Sequence, residues 1–116
     1  MTYDIAEAVR EWLDGVEGFD AYTFVPAERP ARFQTVERTG GGVRNALDRP
    51  LLAVQFWAGT PQEAMADALQ VRDMACKEGA RPAGCHLTVN AGPYPYDDPE
   101  SGQARAQLVF ECVTHI

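Results

Sequence analysis

Leu51-Leu52-Ala53-Val54-Gln55-Phe56-Trp57-Ala58 is a nearly continuous apolar run, broken only by Gln55. Such a run suits a central strand, covered on both faces or on one face plus a subunit interface. Directly behind it, Thr60-Pro61-Gln62-Glu63 spells a helix start: an N-cap Thr, Pro at the first helical position, and Glu three residues after the cap. Ala64, Met65, Ala68, Leu69, Val71, Ala75 and Cys76 then line one side of a helix reaching about Glu78, with Gly79 to close it.

Towards the N-terminus, Ile5, Ala8, Val9, Trp12, Leu13 and Val16 repeat at helical spacing and predict a helix over residues 4–16, with Trp12 in the core. Asp4 with Glu7 resembles a capping box, and Gly15 or Gly18 can end the helix. Residues 20–26 are aromatic and β-branched and read as a short strand ended by Pro26. Residues 32–39 read as a second, partly exposed strand.

Towards the C-terminus, residues 86–91 alternate, with Leu87, Val89 and Ala91 on one face. The last strand alternates more regularly: Ala104, Ala106, Leu108, Phe110 and Cys112 face one way, and Arg105, Gln107, Glu111 and His115 the other. The order α-β-β-β-α-β-β predicts one α+β domain over residues 1–116. Its sheet has four or five strands, mostly antiparallel or mixed, with two helices packed on one face.

The net charge of −7 argues against nucleic-acid binding by phosphate neutralisation. Charge is uneven: residues 1–27 hold six acids against Arg10 alone, and residues 28–50 hold Arg29, Arg32, Arg38, Arg44 and Arg49 against Glu28, Glu37 and Asp48. These two stretches could meet head to tail between copies, or could be ordinary surface scatter. No apolar run is long enough to cross a bilayer, and charges interrupt the N-terminus, so a cytoplasmic site of synthesis is expected, without a membrane partner. Cys76, Cys85 and Cys112 form no Cys-x-x-Cys pair, which favours reduced thiols. Cys76 and Cys112 fall on apolar stripes and are expected in the core, with Cys85 more accessible.

Signals for chemistry are weak. Cys85 and His86 are strand neighbours, whose side chains point to opposite faces. The Cys and His residues lack a zinc-ligand spacing. Asp97-Asp98 sits among Pro93, Pro95, Pro99 and Gly102 and reads as a turn that bonds its own backbone. Gly40, Gly41 and Gly42 are followed by no Gly-Lys-Ser/Thr, so a phosphate cradle is not indicated. No catalytic residue, cofactor or metal is assigned.

Two segments are rich in turn formers: Arg32 to Gly42, and Gly92-Pro93-Tyr94-Pro95-Tyr96-Asp97-Asp98-Pro99-Glu100-Ser101-Gly102. Three successive glycines carry a large ordering cost, and Val43-Arg44-Asn45 shows neither strand nor helix pattern. Residues 39–49 are therefore expected to be a loop that orders only in an assembly.

These motifs occur in a particular succession: Arg29-Pro30, Arg32-Phe33, Val36-Glu37-Arg38-Thr39-Gly40-Gly41, the apolar strand, the Ala-rich helix, and Asp98-Pro99 before an Arg-bearing last strand. The succession resembles the tail terminator proteins of long-tailed bacteriophages, especially those of actinobacterial hosts and their prophages, over nearly the whole chain. An aromatic often follows the last-strand Arg in that family; here Ala106 follows Arg105.

The resemblance implies a non-enzymatic virion protein at the head-proximal end of the tail, assembled in the host cytoplasm. It implies a homo-hexameric ring that sits on the tail tube protein, ends tube growth and meets head-completion or connector proteins, with DNA passing unbound through the lumen. Subunit and partner contacts are then expected at Arg38, Gly40, Gly41, Gly42, Arg44, Arg49, Tyr96, Asp97, Asp98 and Arg105. A neighbouring head–tail connector or head-completion protein is the nearest alternative. A small-molecule-binding or enzymatic α+β domain, using Trp57 or Cys85-His86, is the other.

Overall fold

A computed structural model of the chain describes residues 4–44, 47–78 and 86–115. Helix α1 is Ile5–Asp14, and Asp4 caps it by accepting the Glu7 N–H at 3.2 Å. The reciprocal half of a capping box is replaced: the Glu7 carboxylate instead takes Arg10, at 2.7 Å. Strands β1 (Ala21–Tyr22), β2 (Phe33–Arg44) and β3 (Leu47–Ala58) follow, then helix α2 (Pro61–Glu78), β4 (His86–Pro95) and β5 (Ala104–His115). Thr60 caps α2 through its hydroxyl, 3.2 Å from the Glu63 N–H.

The sheet has five strands in the order β1-β2-β3-β5-β4. β1 pairs parallel to β2, and the other pairs are antiparallel, so the sheet is mixed. The element order is that expected, and β3 occupies the central position its apolar run requires.

Both helices lie on one face. Ile5, Val9 and Leu13 of α1 and Ala64, Ala68, Val71 and Ala75 of α2 join a single core with Val36, Leu52, Val54, Phe56, Leu108, Phe110 and Cys112 of the sheet. The small residues of α2 let its axis approach the strands closely. The large side chains come from the sheet, where Leu52, Phe56, Leu108 and Phe110 are fully buried. Each such side chain contributes about 1.5–3 kcal/mol by leaving water.

Several expectations need correction. The strand expected at 20–26 shrinks to Ala21 and Tyr22, because no neighbour continues the ladder, and Phe24 and Val25 project into solvent, 64% and 40% exposed. The loop expected at 39–49 is instead a long hairpin: β2 runs through all three glycines to Arg44, and β3 begins at Leu47. Glycine is a weak strand former, yet Gly40, Gly41 and Gly42 are held opposite Leu51, Pro50 and Arg49, where the partner strand supplies the ladder. Asn45 lies outside the described residues, as do Gly79 and Cys85. Finally, Cys76 is exposed rather than core, since the buried stripe of α2 ends at Ala75.

Register shifts re-aim side chains in two strands. β2 shifts between Arg38 and Gly40, and β4 shifts between Val89 and Ala91 and again before Tyr94. Leu87 and Val89 therefore pair with Cys112 and Phe110 on the core side, while Ala91 pairs with Val109 on the other face. Gly92, at φ 92°, lies within the second shift. A Cβ there would lie 2.6 Å from the Gln107 carbonyl oxygen, so only glycine fits.

Candidate functional site

The face away from the helices carries the alternate residues of the long strands, and its chemistry is polar and aromatic. Phe33 and Trp57 are directly cross-strand and stack, with centroids 5.3 Å apart and planes 9° from parallel. Trp57 pairs with Arg105 on its other side, and the guanidinium sits 4.7 Å from the indole centroid. The same guanidinium lies 4.5 Å from the Tyr96 ring, so it is clamped between two aromatics. Arg29 covers Trp57 from outside the sheet, at 5.2 Å.

Hydrogen bonds fix this arrangement. Arg105 Nε donates to the Tyr96 carbonyl at 2.6 Å, and its backbone N–H reaches Asp97 Oδ1 at 3.3 Å. Asp98 is buried and closes the β4–β5 connection by accepting from Ser101 Oγ and from the Glu100 and Ser101 N–H groups. The Ser101 hydroxyl and those backbone donors hold the Asp98 carboxyl below its ordinary range. Asp97 and Asp98 therefore bond their own turn, as their sequence context suggests. Arg29 adds an ion pair to Asp98 at 3.5 Å, which ties the segment before β2 to this turn.

A chain of polar contacts crosses the strands beside the clamp. Tyr94 Oη accepts from Gln107 Nε2 at 2.6 Å, Gln107 Oε1 accepts from Gln55 Nε2 at 2.9 Å, and Thr35 Oγ1 donates to Gln55 Oε1 at 3.3 Å. Thr35 in turn accepts from Trp57 Nε1 at 3.1 Å. Gln55, the one polar residue in the apolar run, is thus part of a four-strand network rather than a flaw in the strand.

Of the expected contact residues, Tyr96, Asp97, Asp98 and Arg105 come together in this cluster. Arg38, Gly40, Gly41, Gly42, Arg44 and Arg49 form a second group on the β2–β3 hairpin. The groups do not meet: Trp57 and the hairpin end at Leu47 are separated by nearly the whole of β3, ~33 Å at strand rise. Arg38 Nε donates to the Gly40 carbonyl at 3.3 Å, across the register shift. The side chains of Arg44 and Arg49 lie outside the described parts of the structure.

Arg29 and Arg32 of the basic stretch are also engaged inside the domain. Arg29 is held by Trp57 and Asp98, and Arg32 makes a two-point contact to the buried Asp67 of α2, at 2.7 and 2.8 Å. Sequence reasoning left Arg29 and Arg32 among the candidates for charge pairing between copies and did not find Asp67. The alternation of Gln55 with Trp57 and of Arg105 with Gln107 was the available signal for the polar face.

Among the described residues, no group of three or more His, Cys, Asp and Glu side chains could hold a metal ion, and no helix is long and apolar enough to cross a membrane. His86 opens β4 and is exposed. No protein-family model and no curated protein sequence matches the chain.

Proposed function

We propose that this chain is a structural protein that caps a phage tail tube as a ring, ending tube growth and offering the surface to which the head joins. Support comes first from the succession of motifs along nearly the whole sequence. The observation that carries it further is the outer edge of β2. β1 covers this strand only at Gln34 and Thr35, and among the described residues no strand lies outside it from Glu37 to Arg44. Free of proline and shifted in register once, between Arg38 and Gly40, this long edge is a template for another strand, and soluble monomers ordinarily block such edges. An assembling protein uses them instead.

The clamp around Arg105 serves this function by holding the β4–β5 turn rigid, so that Tyr96, 46% exposed, is presented in a fixed orientation. The acidic net charge suits a lumen through which DNA slides, since like charges repel. Mass measurement on the purified chain, alone and with tail tubes, tests the proposal. A ring bound at one end of the tube supports it. A ring that binds head connectors but not tubes favours the connector reading, and a small species that binds neither defeats both.

A further inference from the structure

We infer that copies of this chain join head to tail through their sheet edges, the outer edge of β2 in one copy pairing with the outer edge of β4 in the next. The inference rests on the ring reading above and names the surface that would build the ring. It follows from strand direction, from register, and from which parts of each edge are obstructed.

Across β2, β3, β5 and β4 every neighbouring pair is antiparallel. β2 and β4 therefore run in opposite directions. Setting two copies side by side in the same orientation places β4 of one against β2 of the next as an antiparallel pair, with no strand reversed. Pairing β2 with β2 would need a twofold axis and would stop at two copies.

The registers align the useful halves of the two edges. Arg38 is level with Val89 through Leu52 and Phe110, and Gly40 is level with Thr88 through Leu51 and Glu111. At this end β2 is uncovered, and residues 86–89 pair regularly with β5. At the other end Gln34 is level with Pro95 through Phe56 and Ala106. There β1 covers β2, and β4 is broken by its register shifts, Pro93 and Pro95. Open stretch meets open stretch, and blocked stretch meets blocked stretch.

Backbone phase agrees. The Gln34 N–H donates outward to the Asp20 carbonyl, and the Tyr96 N–H donates inward to the Arg105 carbonyl. Antiparallel alternation then turns the backbone groups of Leu87 and Val89 away from β5. Past the shift in β2, Gly41 and Val43 turn theirs away from β3. Gly41 and Leu87, each one residue beyond the Gly40 and Thr88 level, thus turn outward together, as Arg38 and Val89 do on the other side of the shift.

Two variants test the pairing. Gly41→Pro removes an outward N–H while leaving the inward ladder, and the expected result is loss of the oligomer with unchanged circular dichroism. A Gly40→Cys/Thr88→Cys double variant, in a background with Cys76 and Cys85 changed to Ser, should give an oxidised ladder extending beyond the dimer, and each single variant should give no cross-link. Thr88 is exposed, and a Cβ at Gly40 meets only the end of Leu51, at 4.0 Å, so both sites accept the change. A dimer from Gly40→Cys alone overturns the inference in favour of twofold β2 pairing. An oligomer that persists in Gly41→Pro, with the double variant uncross-linked, overturns it while leaving the ring reading intact. A wild-type chain that stays monomeric on tail tubes defeats both.

Discussion

The guanidinium of Arg105 is held between the rings of Trp57 and Tyr96, 4.7 and 4.5 Å from their centroids, and so couples the central strand to the turn that ends β4. This contact is set by register, because Trp57 and Arg105 are directly opposite on adjacent strands. Arg105→Ala should lower stability by about 1–2 kcal/mol, through two lost cation–π contacts and the bond to the Tyr96 carbonyl. Arg105→Lys should recover only part, because a lysine ammonium lacks the planar fork. Thermal unfolding followed by tryptophan fluorescence checks both. Equal melting temperatures for wild type and Arg105→Ala would contradict the clamp.

Arg32 and Asp67 join the start of β2 to α2, and Asp67 is buried while Arg32 is about half exposed. The exposed side moderates the effect, so Asp67→Ala should cost about 1–2 kcal/mol. A double-mutant cycle with Arg32→Ala should return a coupling near 1 kcal/mol. Strictly additive losses would show that the two side chains act independently.

Asp98 gives stability a pH dependence. Its carboxyl is held below the ordinary value, first by the Ser101 hydroxyl. The folded state therefore favours the ionised form, and the contribution is present above the unfolded value of about 3.9. It is lost as pH falls through the lowered folded value. Denaturant midpoints should be level near neutrality and drop below about pH 4. Asp98→Asn should flatten that part of the profile, and an unchanged slope in the variant would assign the acid sensitivity elsewhere.

Cys76 is exposed on α2 and Cys112 is buried in the core. A thiol reagent should modify Cys76 in the folded protein and reach Cys112 only on unfolding. Cys76→Ser should change stability by less than about 0.5 kcal/mol, and Cys112→Ser should cost about 1–2 kcal/mol. Rapid native labelling at Cys112 would contradict the packing of β5.

Strand and helix order was legible because the apolar run at residues 51–58 and the alternation of residues 104–112 carry periodicity that tertiary context does not override. The hairpin was not legible. Gly40, Gly41 and Gly42 have no side-chain pattern, and their strand conformation comes from pairing with Leu51, Pro50 and Arg49. The face change at Ala91 was likewise hidden, since a register shift inverts alternation without altering the sequence pattern. Of the candidate site, the turn at Asp97 and Asp98 could be read locally, from its prolines and glycines. Its partnership with Trp57 and Arg29 could not, because that depends on strand order and on a segment some seventy residues away. Cys76 was misplaced because a helical stripe indicates a face but not where the sheet beneath it ends.

Growth of tail tubes in the presence of the purified chain is the most direct measurement of the central claim. On this account the genome that encodes the chain also encodes a tail tube protein; that protein is allowed to extend from preformed tubes, and tube length and end structure are followed by electron microscopy. The account predicts a ring of this protein at one tube end and no further elongation after it binds. Tubes that lengthen at the same rate, with no added density at either end, would contradict it.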